Sequence, residues 1–127
     1  MTKDARTDRE RQVAHQFQVG IDLFNEGRFF ECHEAWEEVW KRSEGAEKLF
    51  YQGLIQAAVA ILHAERGNLD GAASMYRKAR EKLDPLPHHH RGIALGDLRD
   101  ALSIFFAQAL DEGSQSLPPR PTLRRLS

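Results

Sequence analysis

Residues 46–66 are apolar on nearly every side. Leu49, Phe50, Leu54, Ile55, Ala58, Val59, Ile61 and Leu62 leave no wide polar face at helical spacing. A helix of this kind must be wrapped by other helices, so the segment from Ala46 to Arg66 is expected at the centre of a bundle. The remaining apolar patterns supply the wrapping. Val13, Phe17, Gly20, Ile21 and Phe24 recur at three- and four-residue steps and predict a helix from Thr7 to Glu26, stopped by Gly27. Cys32, Ala35, Trp36, Val39 and Trp40 form the buried arc of a second helix, Phe29 to Arg42. Glu31 near its start and Lys41 near its end agree with the helix dipole.

Leu69, Ala72, Ala73, Tyr76, Ala79 and Leu83 predict a helix from Leu69 to Leu83, with Arg77, Lys78 and Lys82 on its outer face and Pro85 and Pro87 ending it. His88-His89-His90-Arg91-Gly92 reads as a solvated loop, because three consecutive histidines on a flexible segment do not preset a coordination geometry. Leu98, Ala101, Leu102, Phe105, Phe106 and Ala109 predict a last helix from Ala94 to Asp111. The fold class expected is all-α: a single compact bundle of about five helices, built from antiparallel helical hairpins, over residues 1–112. Residues 113–127 hold three prolines and no helical period, and read as a flexible tail carrying proline and arginine.

Charge and composition narrow the function classes. A formal net charge of −1 gives no overall pull toward nucleic acid or anionic membrane, so nucleic acid is an unfavoured partner. Arg77, Lys78, Arg80, Lys82 and Arg91 form a basic strip, but a short one balanced by acids elsewhere. No apolar run is long enough to span a bilayer, and the polar opening MTKDARTDRERQ is unlike a signal peptide. Cys32 is the sole cysteine, so no intrachain disulfide forms. A cytoplasmic protein is the expectation, with an unidentified protein or small molecule as partner and a homo-oligomer left open.

Ionisable and amide groups gather at the border of two apolar stripes. His33 and Glu37 are four residues apart on the second helix and share a face. Gln52, Gln56 and His63 on the third helix lie within roughly one-eighth of a turn of each other. The link between these helices is short, so they pack as an antiparallel hairpin and the two polar stripes can meet along one seam. His33, Glu37, Gln52, Gln56 and His63 are therefore the candidate ligand-binding residues. Two imidazoles and a carboxylate, His33, Glu37 and His63, are a ligand set suited to a divalent zinc or iron ion, with the glutamines orienting them. Glu34 is the candidate proton carrier and catalytic residue.

The competing reading is a closed polar network whose members satisfy one another. His33-Glu34-x-x-Glu37, an HExxE motif, has a glutamate where the zinc proteases carry their second histidine, and no strand pattern to hold a peptide. Glu31, Glu34 and Glu38 form an outer acidic strip, read as a solvated face or as a dock for a basic segment such as Arg124-Arg125 of a neighbouring chain. Trp36 and Trp40 are expected as core anchors, and Cys32 as an inert buried thiol. Glu37 to Lys41 and Glu38 to Arg42 are the expected ion pairs.

Several blocks in register resemble a known family. Gly27-Arg28-Phe29-Phe30-Glu31, His33-Glu34-Ala35-Trp36-Glu37-Glu38-Val39-Trp40, Gly53-Leu54-Ile55-Gln56, His63, Arg66-Gly67-Asn68 and Gly71-Ala72 stand in the order and spacing of domain of unknown function 309. The resemblance covers about half the chain, from Leu23 to Leu83. It implies a small all-helical bundle in a soluble, mostly prokaryotic protein, and no established activity. Taken together, these observations point to a binding or interaction module with a polar seam between helices 2 and 3. The alternative is a metal- or small-ligand-dependent enzyme using His33, Glu37 and His63.

Overall fold

Thr7 opens the first helix with a reciprocal cap. Its hydroxyl accepts the Glu10 backbone N–H at 3.1 Å, and the Glu10 carboxylate accepts the Thr7 N–H at 3.4 Å. The computed structural model describes residues 6–111, 113 and 116–126. Its elements are α1 (Asp8–Asn25), α2 (Phe29–Lys41), α3 (Gly45–Glu65), α4 (Leu69–Leu83), β1 (His89–His90), β2 (Ile93–Ala94) and α5 (Leu95–Ala109). The fold is all-α, and the five helices pack against one another. Each helix lies within two residues of its expected bounds.

The all-round apolar helix is central, as expected: α3 is flanked by α2 on one side and α4 on the other, and α1 covers α2. Leu54, Ala57, Ala58, Ala60 and Ile61 of α3 have no exposed surface. Small alanines on this helix admit close neighbours, and large side chains from those neighbours fill the gaps. Trp36 of α2 is the largest fully buried side chain, and its indole covers Gly20 of α1, where a Cβ would collide with the ring Nε1. Its indole N–H donates to the Phe17 carbonyl at 3.1 Å, and its ring lies between Phe17 and Phe24. Burial of such a side chain contributes about 1.5–3 kcal/mol.

Gly53 sets the distance between α3 and α4. A Cβ there would stand 2.9 Å from Leu83 Cδ2 and 3.0 Å from Lys82 Cβ, closer than normal packing allows. On the other side of α4, Tyr76 stacks on Phe106 of α5 with centroids 4.3 Å apart. Arg99 of α5 donates to the carbonyls of Leu83 and Leu86 at 2.8 and 2.7 Å, which satisfies the end of α4. Among the described residues no helix is long and apolar enough to cross a membrane.

Two expectations are corrected. The histidine-rich stretch is a hairpin, with His90 opposite Ile93 and His89 opposite Ala94. Arg91 and Gly92 form its two-residue loop at φ 49° and 77°, the paired positive angles that match strand twist in a tight hairpin. His90 is no solvated loop residue: its ring meets Phe50 edge-on at 4.7 Å.

The stretch read as a free tail is docked where it is described. Pro118, Pro121 and Leu123 are buried. The Asn25 side chain clamps the Leu123 backbone, accepting its N–H at 2.7 Å and donating to its carbonyl at 3.0 Å. Ala94 N–H donates to Arg124 O, Leu126 N–H donates to Gly92 O, and Arg125 bridges to Ile93. The prolines restrict the backbone in advance, so few anchors hold the segment extended. Arg124 pairs with Asp97 at 3.0 Å and Arg120 with Glu65 at 2.6 Å, within the same chain.

Candidate functional site

On α2, His33 and Glu37 stand one turn apart and meet at 3.2 Å, Nε2 to Oε1. Their side chains are 28% and 43% exposed, so the pair faces solvent and is not sealed in the core. On α3, Gln52, Ile55, Gln56 and Val59 fall at i, i+3, i+4 and i+7 and present one face toward them. Trp40 of α2 and Met75 of α4 complete a cavity of about 310 Å³. The two polar stripes expected to meet therefore do meet, at His33, Glu37, Gln52 and Gln56.

Each polar group has a definable role. Lys82 of α4 donates to Gln56 Oε1 at 2.8 Å and to its own helix at the Lys78 carbonyl, 3.4 Å away. That bond fixes the Gln56 amide so that its NH₂ remains as a donor. No side-chain bond engages Gln52 among the described residues, which leaves it both a donor and an acceptor. Glu37 keeps acceptor capacity beyond its bond to His33. Ile55, Val59, Met75 and the Trp40 ring supply apolar wall. Trp40 Nε1 is buried without a partner among the described residues, and Lys48 sits 4.4 Å over the centroid of its ring. Trp40 thus packs against the core, as expected, and also forms a wall of this cavity.

Two of the expected site residues are elsewhere. His63 lies at the far end of α3, where its Nδ1 stands 3.2 Å from Asn68 Nδ2 at the turn into α4. Asn68 in turn caps α4 by accepting the Gly71 N–H at 3.1 Å. His63 serves that turn and does not line the cavity. Accordingly, no three His, Cys, Asp or Glu side chains among the described residues gather closely enough to hold a metal ion. The proposed zinc or iron triad of His33, Glu37 and His63 is not assembled. Glu34 is exposed and lies outside the cavity.

The other charges also sort differently. Glu31 pairs with Arg28 at 2.8 Å and Glu38 with Lys41 at 3.3 Å, so Glu37 is left to His33. Arg77 pairs with Glu81 and Arg80 with Asp84 along α4, while Lys82 turns into the seam and Arg91 pairs with Glu47. The basic strip is therefore dispersed. Cys32 is fully buried, and desolvation pushes its thiol far above the usual range, so it is no nucleophile. Lys82 is the seam residue that sequence reading placed on the wrong face. Its Cβ already faces Gly53 across the α3–α4 contact, so the residue stands at the seam between the helices.

Residues 17–75 match the model of the family described as domain of unknown function (DUF309). The resemblance read from the sequence is thus shown for this span. All eight cavity-lining residues, from His33 to Met75, lie within the DUF309 segment. The chain is 38% identical over 77 residues to an uncharacterized protein of Aquifex aeolicus (strain VF5), an overlap of 60% of this chain and 23% of that protein. It is 47% identical over 66 residues to the uncharacterized protein YpuF of Bacillus subtilis (strain 168), covering 51% of this chain and 36% of that protein. The chain thus spans well under half the length of either relative.

Proposed function

We propose that the chain is a binding module whose open seam between α2, α3 and α4 takes a small zwitterion with an apolar side chain, such as a free amino acid or a dipeptide. The observation that carries this reading is the sorting of acceptors and donors around one cavity. Glu37 offers an anion on one helix, the Gln56 NH₂, its oxygen held by Lys82 from outside the lining, offers a donor on the facing side, and Ile55, Val59 and Met75 supply apolar wall. A ligand's ammonium suits Glu37 and its carboxylate suits the amides of Gln52 and Gln56, while its side chain covers the apolar wall. The volume of about 310 Å³ is at the small end for ligand pockets, in keeping with a metabolite-sized occupant. An unpaired cysteine suits a reducing compartment, and the cytoplasm is the proposed place of action.

The test is a titration of the isotope-labelled protein with L-leucine, L-methionine and the dipeptide Gly-Leu, read by amide chemical shifts. Saturable shifts confined to residues around Gln52, Gln56 and Glu37 are expected. Gln52→Ala and Glu37→Gln are each expected to weaken binding roughly tenfold, as loss of one directed polar contact does. Absence of saturable shifts up to about 10 mM, where even affinities weaker than the millimolar range would register, overturns the reading.

A further inference from the structure

A second cleft, of about 490 Å³, shares no residue with the seam. It is built from the start of α1, the α2–α3 turn, the tip of the hairpin and the docked C-terminal segment. Five arginines line it, Arg6, Arg9, Arg42, Arg91 and Arg125, against two carboxylates, Glu10 and Glu47. The chain as a whole carries a formal charge of −1, so the cationic excess here is a matter of placement, not of composition. Four of the five arginines lie outside the matched segment of residues 17–75.

For Arg42, Arg91 and Arg125 the local partners leave much of the charge unneutralised. Arg42 and Arg125 donate to the neutral amides of Gln12 and Gln18 at 3.5 and 2.9 Å. Arg91 reaches Glu47 at 3.5 Å, and Glu10 is engaged in the cap at Thr7. Arg91 is also the one non-glycine with a positive φ among the described residues, at 49°. The hairpin turn requires that angle, and it brings the Arg91 guanidinium to the cleft. Convergent like charges repel, and the arrangement is relieved when an anion enters.

The geometry points to an anion site for a small molecule carrying adjacent phosphate groups. Guanidinium groups match phosphate oxygens in a two-pronged geometry, and several in one cleft require a ligand with more than one negative group. A nucleic-acid strand calls instead for an extended basic stripe, whereas the arginines of α4 are paired with acids along their own helix.

The experiment is calorimetric titration of the full chain with inorganic pyrophosphate at fixed ionic strength, with sodium sulfate as the control. Saturable binding of pyrophosphate, stronger than any response to sulfate, is expected. Arg9→Gln and Arg42→Gln should each weaken it roughly tenfold. Both are exposed positions whose replacement leaves the core intact, and circular dichroism confirms folding. Arg77→Gln, on α4, should bind pyrophosphate as the unaltered chain does. Equal responses to sulfate and pyrophosphate overturn the proposal, as does undiminished binding in both Arg9→Gln and Arg42→Gln. Binding of a short oligouridylate through the same arginines, with none of pyrophosphate, overturns it in favour of a nucleic-acid surface.

Discussion

Tyr51 is only 4% exposed and lies edge-on to Phe17, with Phe50 beside it. Burial, reinforced by the Glu47 carboxylate, pushes its phenol from 10.0 up to about 12. A raised folded value means the phenol stabilises the fold fully below pH 10 and loses that contribution as pH climbs through 10 to 12. Denaturant midpoints should therefore fall across that window, by an amount equivalent to at most about 2 kcal/mol. Tyr51→Phe should flatten the fall without abolishing it, because burial also raises Tyr76. At this same scale, His33, Glu37, Gln52 and Gln56 were legible in the sequence because helical spacing alone puts each pair on one face. His63 shared that spacing, but position along the axis separates it from the others, and Asn68 engages it at the turn. Lys82 was not legible because a lysine beside an apolar stripe reads as solvated, whereas its Cβ here faces Gly53 across the α3–α4 contact.

Among the elements, the contact between α3 and α4 tests the role of Gly53 most directly. A methyl group there would press on Leu83 and on the stem of Lys82. Gly53→Ala should cost about 1–3 kcal/mol as an overpacked contact, outweighing the gain in helix propensity. It should also disturb the bond from Lys82 to Gln56, so amide shifts on both residues are expected to move together. The five helices were readable because long amphipathic and all-apolar stretches carry strong periods. The hairpin was not, because strands of two residues have no period and arginine rarely occupies a left-handed position. The proline-rich stretch has no helical pattern, and an extended segment held by scattered anchors needs none. Isolated anchors such as Leu123 and the distant Asn25 give no local signal.

Across the whole molecule, the clamp from Asn25 to Leu123 joins residues 98 positions apart. Asn25→Ala removes two hydrogen bonds to a backbone that is partly buried, at a cost of about 1–3 kcal/mol. Hydrogen exchange offers a specific check: the amides of Ala94, Leu123 and Leu126, which depend on the docked segment, should lose protection as a group while those of α3 keep theirs. The DUF309 match ends at residue 75, midway along α4, so the seam it contains relies on Lys82 and on the α5 packing beyond that boundary.

The arginine cleft has a similar dependence on distant parts. Arg9, from the first turns of α1, and Arg125, from the bridge to Ile93, become neighbours only after every intervening element has found its place. No half-assembled chain presents that concentration of charge. Whatever settles there binds the finished architecture alone, and by doing so acts as a latch that must be released before the bundle comes apart.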